Sequence, residues 1–215
     1  MKYFVTGATG WVGKSILHEL QRNIPSDIFN KNVISFASKE GVLESTFYKN
    51  KISIPIYNLS DIKSFANKDE QINLIHTAFL TKDRIKQYGL DAFIKTNQSI
   101  TKNICDFLKE FKINKVIHIS SGAASKFDCK KSKEQINYDR YGYLKKLEEN
   151  KIIYYCDTYL ILRIYGLTGR FIRDPLNFAI GDFLTKAIQN KPIKISSSNQ
   201  VIRSYVNASD LSKLC

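Results

Sequence analysis

Tyr141 and Lys145 stand in the run Tyr141-Gly142-Tyr143-Leu144-Lys145, followed by Lys146-Leu147-Glu148-Glu149. On a helix the two lie on one face, a turn apart. A phenol with a reference pKa near ~10 is a poor base at neutral pH, and an ammonium held beside it lowers that value. The pair could then move a proton. Chance Tyr/Lys spacings are common in a chain with 12 tyrosines, so the position of the motif has to decide. It follows the apolar run Lys115-Val116-Ile117-His118-Ile119, which ends in Ser120-Ser121-Gly122-Ala123-Ala124. A strand ending there and a helix carrying the motif would bring Ser121, Tyr141 and Lys145 together.

A second group of residues suits an anion. Thr6-Gly7-Ala8-Thr9-Gly10-Trp11-Val12-Gly13 follows the apolar Tyr3-Phe4-Val5 and leads into a run with Val12, Ile16, Leu17 and Leu20 on one helical face. Strand, glycine turn and helix are the parts of a dinucleotide-binding unit. Gly7 permits the tight turn, Gly10 a close approach to a pyrophosphate, and Gly13 close packing of helix on strand. The free amides of the helix start would face the phosphates. An ordinary tight turn is the alternative. At the end of the next apolar run, Asn32-Val33-Ile34-Ser35-Phe36-Ala37, a carboxylate normally binds the ribose hydroxyls of NAD. Here Ser38-Lys39 follows instead. A hydroxyl and a cation suit a 2′-phosphate, so NADP is favoured over NAD; Lys39 could equally be a surface residue, and Glu40 lies beside it.

The elements that must hold these residues alternate along the chain. Residues 51–56 show strand periodicity, with Pro55 placing the end near an edge or turn. A short helix is expected at 59–66 and a strand at 72–78. Residues 90–111 repeat as an amphipathic helix with Asn97 on the apolar stripe, where a buried amide needs partners. His76 is read as a packed core histidine. Further on, 177–190 reads as a helix with Phe178, Phe183, Leu184, Ala187 and Ile188 facing inward. Strands and helices alternating without a repeat give a doubly wound parallel α/β sheet, a Rossmann fold.

The wording TGATGWVG, the strand end Ser120-Ser121 and the Tyr141/Lys145 pair together resemble the extended short-chain dehydrogenase/reductase superfamily, with its NAD(P)-dependent epimerases, dehydratases and reductases of nucleotide sugars. The resemblance covers essentially all 215 residues. It implies that Ser121 hydrogen-bonds the substrate oxygen, Tyr141 transfers the proton, and Lys145 holds the nicotinamide ribose and tunes Tyr141. It implies cofactor contacts from the glycine turn (Gly7, Thr9, Gly10, Trp11, Val12, Gly13), from Ser38 and Lys39, from Asn58-Leu59 near the adenine, and from Thr77-Ala78. Asn97 falls at the family's helix Asn and reads as a structural link near the site. Arg203 matches a position that often grips the nucleotide diphosphate; Gly166 replaces a frequent substrate-touching Asn. Family dehydratases carry Asp-Glu after the catalytic Ser/Thr, where this chain has Gly122-Ala123, which can serve as neither acid nor base. A keto-sugar reductase is therefore expected, with a nucleotide-sugar 4-epimerase and a non-catalytic NADP-binding sensor or scaffold as alternatives. Residues 1–165 would form the dinucleotide-binding domain and 166–215 a partial, apparently truncated substrate-binding region, since family members run considerably further. A homodimer through the helices near 90–111 and 138–150 is plausible on the same resemblance.

Composition narrows the partners. The chain carries 33 Lys and Arg against 20 Asp and Glu, a net charge of +13. The lysines are scattered and no nucleic-acid motif is recognisable, so a solvated basic surface is expected and no nucleic-acid partner. Such a field also attracts anionic cofactors and substrates. No apolar run approaches the ~20 residues of a membrane helix. The first strand begins almost at Met1, leaving no room for a leader. Cys105, Cys129, Cys156 and Cys215 are widely spaced, so neither a disulfide frame nor a metal site is expected, and a cytoplasmic location is.

Overall fold

A computed structural model describes residues 1–47, 50–195 and 198–215. In chain order the elements are β1 (Lys2–Thr6), α1 (Trp11–Asn23), α2 (Ser26–Asn32), β2 (Val33–Ala37), β3 (Gly41–Phe47), β4 (Asn50–Asn58), β5 (Ile72–His76), α3 (Ile85–Tyr88), α4 (Leu90–Glu110), β6 (Ile113–Ser121), α5 (Lys133–Tyr138), α6 (Arg140–Tyr155), β7 (Tyr159–Ile164), β8 (Leu167–Thr168), α7 (Ala179–Ile188), β9 (Val206–Asn207) and α8 (Ala208–Lys213). Seven strands form one sheet in the order β3-β4-β2-β1-β5-β6-β7, with β8 and β9 a separate pair. Every neighbouring pair in the large sheet is parallel except β3 with β4.

The short apolar strands are buried on both faces, as a parallel sheet covered by helices requires. Alternate residues divide between two cores. Phe4, Phe36, Leu74 and Val116 pack with Ile104, Phe107 and Leu108 of α4 and Ile152 of α6. Val5, Ala37, Ile75 and Ile117 pack on the other face with Ile16 and Leu17 of α1 and Leu211 of α8. This is the doubly wound arrangement expected from the alternation of elements. From β1 the chain moves first outward to β2, then crosses to β5 on the opposite side. The reversal leaves a crevice at the carboxyl ends of β1 and β5.

Several local expectations change. The strand read at 51–56 is the longer β4, and it folds back on β3, which the sequence reading passed over. Pro55 lies within β4, opposite Val42, one residue before parallel pairing with β2 begins at Ile56. The helix expected at 59–66 is a 3-10 helix over Leu59–Phe65, capped by Asn58 accepting from the Ser60 amide at 3.1 Å. Of the five residues expected to face inward at helix α7, only Phe183 is even partly buried. Leu184 is 58% and Ile188 82% exposed, and Phe178 and Ala187 are exposed too. The helix's one buried residue is Gly181, where an added Cβ would meet the Pro175 carbonyl. Helix α8 returns to α1, where Ser209 Oγ donates to Glu19 Oε1 at 2.6 Å.

Candidate active site

The glycine turn is shaped by contacts that side chains would block. Gly7 has φ +72°, and a Cβ there would stand 2.5 Å from Thr77 Oγ1 and 2.7 Å from the Ala78 nitrogen. A Cβ on Gly13 would strike the Gly7 carbonyl, so α1 packs directly on the turn. The turn is fixed by Ala8 N–H to Phe36 O at 3.0 Å and Gly10 N–H to Gly7 O at 2.9 Å. Gly10 caps α1 without a side-chain hydrogen bond, and the first turn of the helix holds no acidic residue. Bare amides at a helix start, with no carboxylate to compete, suit a phosphate.

This turn opens onto a cleft of about 910 Å³. Of the residues expected at a cofactor, Gly7, Thr9, Gly10 and Trp11 line it at one end, Ser38 and Leu59 at another, and Thr77, Ala78 and Tyr141 along the β5 side. Val12, Gly13, Lys39, Asn58, Asn97 and Lys145 are not among its lining, nor are Ser121 and Arg203. Val12 and Gly13 lie in the first turn of α1, Lys39 is exposed, and Asn58 spends its side chain on the cap. Asn97 is fully buried and clamps the loop after β5, accepting from Leu80 N at 2.8 Å and donating to Leu80 O at 3.4 Å. Arg203 is exposed in the segment before β9. Trp11 does more than line the cleft. Its indole N–H donates to the Arg170 carbonyl at 2.6 Å and its ring meets Phe178 edge-on, joining the glycine turn to the segment beyond β8.

At the other end, Tyr141 sits in the first turn of α6, whose start is capped by Asp139 accepting from the Gly142 amide at 3.1 Å. Ser121 lies beside the Tyr141 hydroxyl and favours its ionised form. Ser121 itself accepts from the Ala123 amide at 3.2 Å. Burial raises the Tyr141 phenol above its ordinary pKa; Ser121 opposes this, and Glu148, Asp139 and Asp83 add to it. The lowering expected from a neighbouring ammonium is therefore not found. The reason lies in where Lys145 goes. It is 3% exposed, donates to Ile119 O and to Glu148 Oε2, both at 3.1 Å, and stands 3.9 Å from the centre of the Phe79 ring. Burial lowers the pKa of this lysine, against the pull of Glu148 and Glu149.

Beneath that pair is a dry polar cluster. Glu148 Oε1 accepts from His76 Nε2 at 3.0 Å and from Thr101 Oγ1 at 3.2 Å, while His76 Nδ1 lies 2.6 Å from Thr6 Oγ1. His118 stacks on His76 with centroids 5.2 Å apart and brings Nε2 to 3.4 Å from Glu148 Oε2, yet neither of its ring nitrogens makes a hydrogen bond. Burial would raise the Glu148 carboxyl, but the Lys145 ammonium, helped by the His76 hydrogen bond, outweighs it and holds the group ionised. Burial holds His118 well below the usual imidazole range, hence neutral. Ligand atoms of His76, His118 and Glu148 lie within 4.8 Å of one another, a spacing open to a metal ion. The ammonium of Lys145 already supplies the positive charge there.

A second network ties the frame. Arg163 of β7 donates to Glu149 at 2.8 and 2.6 Å and to both oxygens of Asp128 at 2.7 Å, and Ser120 Oγ donates to Glu149 Oε1 at 2.6 Å. It holds β6, α6 and β7 in one register behind the cleft.

The sequence reading missed several lining residues: Lys14, Phe79, the 80–84 loop and the 171–174 segment with Asn177 and Phe178. Lys14 could have been found, since it follows the glycine turn directly. The others lie in irregular segments with no periodicity to place them.

Compared with known proteins, the chain matches a family model described as "NAD dependent epimerase/dehydratase family" over residues 3–215. No match was found among curated proteins. Similar solved structures include MoeE5 in complex with UDP-glucose and NAD (16% identity, 99% of this chain and 70% of that one, TM-score 0.69). The UDP-glucuronic acid 4-epimerase of Bacillus cereus with UDP-glucuronic acid and NAD is 18% identical over 99% of this chain and 71% of its own, with TM-score 0.67. A double mutant of DesIV, a dTDP-glucose 4,6-dehydratase from Streptomyces venezuelae with NAD bound, is 16% identical over 99% and 70%, with TM-score 0.68. Identities this low speak for the fold.

Proposed function

Because the chain belongs to the NAD dependent epimerase/dehydratase family, we propose that it binds a nicotinamide dinucleotide in the cleft and acts on a nucleotide sugar, reducing a keto group with Tyr141 as the proton donor. The observation that carries this reading is a single cleft lined both by Tyr141, with Ser121 beside its hydroxyl, and by the glycine turn, where Gly7 leaves no room for a side chain. The turn residues Gly7 to Gly13 would hold the diphosphate on the amides opening α1. A bound nicotinamide would supply or take the hydride. Ser121 would orient the sugar oxygen, and Tyr141 would give its proton to that oxygen. A phenol raised above its usual pKa is protonated at neutral pH, which suits donation and so reduction. Dehydration fits poorly, because Gly122 and Ala123 bring no acid or base.

NADP over NAD remains part of the proposal, supported by Ser38 at the cleft and the lack of a carboxylate in Ala37-Ser38-Lys39. Epimerisation at C4 is the second reading, favoured by the 4-epimerase among the structural neighbours. Arg203 is proposed as a diphosphate contact, α4 and α6 as a dimer face, and the four free cysteines fit a cytoplasmic setting.

Calorimetric titration with NADPH, NADH and a panel of UDP-, dTDP-, CDP- and GDP-sugars tests the proposal. Binding of one cofactor and one sugar class is expected, with reduction of the matching keto sugar. Indifference to both cofactors removes the enzyme reading and leaves a scaffold.

A further inference from the structure

Lys145 and Tyr141 share a helix face, but only Tyr141 lines the cleft. The side chain between Lys145 and that space is Phe79, from the loop that follows β5. Its ring lies 3.9 Å from the Lys145 ammonium, meets the Tyr141 ring edge-on at a centroid distance of 5.8 Å, and forms part of the cleft wall. From behind, the ammonium is drawn to the Ile119 carbonyl and Glu148. A cation on a ring face and a carboxylate is at rest, and at 3% exposure water scarcely reaches it. Helix α6 cannot easily shift to change this, since Gly142 packs against the Ala123 carbonyl, where even a Cβ would stand 2.6 Å away. The Phe79 ring is half-buried and its outer face is open to the cleft.

We propose that Phe79 is a positioning residue that closes Lys145 off from the cleft, and that Lys145 reaches a bound dinucleotide only when this ring turns aside. The inference rests on the dinucleotide reading of the cleft for its functional half; the cover itself does not. A ligand that must displace the ring binds more weakly by the fraction of molecules with the ring displaced.

The cover is tested by acylating the folded protein with a small amine-reactive ester and following each lysine by peptide mass spectrometry, with exposed Lys102 as the internal reference. Lys145 should label at least ~100-fold more slowly than Lys102 in the unaltered protein. Phe79→Ala should raise the Lys145 rate ~10-fold or more, Phe79→Leu by less, with Lys102 unchanged in both. Labelling of Lys145 as fast as Lys102 at the outset, or no response to Phe79→Ala, overturns the cover. The functional half is tested by calorimetry with NADPH and NADH on the unaltered chain, Phe79→Ala, Lys145→Met and the double variant. Phe79→Ala should tighten the bound cofactor ~5-fold, and the gain should vanish when Lys145→Met is added. A gain that persists without the lysine overturns the coupling. Absence of cofactor binding in all four proteins would instead strike the cofactor reading, and the labelling result alone then judges the cover.

Discussion

A phenol on a serine, in a pocket dry enough to raise its pKa, holds its proton through the neutral range. Reduction should therefore proceed at a constant rate across neutral pH and fall only above about pH 10, where an unperturbed tyrosine would already have lost its proton. A fall setting in near pH 7 would mean that an ammonium governs Tyr141 after all. Tyr141→Phe removes the proton and keeps the ring, so turnover should drop at least ~100-fold while cofactor affinity stays within about twofold. His118 gives a separate test through stability. Its folded-state pKa lies below the unfolded value of about 6.5. Below that pH the unfolded chain takes up a proton that the folded chain refuses, so stability is whole above the unfolded pKa and drains as pH falls toward the folded one. The loss should approach about 1.4 kcal/mol per pH unit for this one group. His118→Phe should flatten the denaturation midpoint between about pH 6.5 and pH 5, leaving the carboxylate-dependent loss at lower pH. An unchanged slope would mean that His118 is charged in the fold.

At the scale of elements, the start of α1 and the turn beneath it act as one piece. Gly13→Ala puts a methyl against the Gly7 carbonyl, and overpacking of this kind destabilises by about 1–3 kcal/mol. Thermal unfolding should shift down accordingly, and cofactor affinity should fall ~10-fold or more as the turn is pushed open. The Arg163 fork makes a comparable demand on β6, α6 and β7. Glu149 is 1% exposed, and Arg163→Ala leaves it only Lys146, at 3.6 Å, as a cationic partner, at a cost of about 1–3 kcal/mol. Arg163→Lys should recover only part of this, because one ammonium cannot bridge Asp128 and Glu149 as the planar fork does. The glycine turn and the strand ending in Ser121 were legible in the sequence because spacing and apolar runs encode them directly. The edge strand β3 was not: Val42-Leu43-Glu44 has little alternation, and its pairing depends on β4 folding back. The place of Lys145 was equally hidden. Its spacing from Tyr141 fixes a helix face, but Phe79 and Glu148, which decide what the ammonium touches, come from a loop and from a position three residues along that same helix.

Across the whole molecule, the two cores pack against the sheet, and the proposed site residues Gly7, Thr77 and Ser121 stand at or just beyond the carboxyl ends of β1, β5 and β6. The chain carries an excess of 13 positive charges, a field that attracts anions in general. No helix among the described residues is long and apolar enough to cross a membrane. The chain beyond β8 also lines the cleft, and the indole of Trp11, hydrogen-bonded to Arg170 and edge-on to Phe178, is where that segment meets the glycine turn. Trp11 is the one tryptophan in 215 residues. Emission excited at the red edge of the indole band, where the 12 tyrosines do not absorb, therefore reports from a single known spot in the cleft wall. Arrival of a dinucleotide should quench or shift that light, reduced nicotinamide should draw energy from it, and Trp11→Phe should leave the protein dark in the same assay. A spectrum indifferent to saturating cofactor would mean that the turn and the segment facing it do not share the ligand.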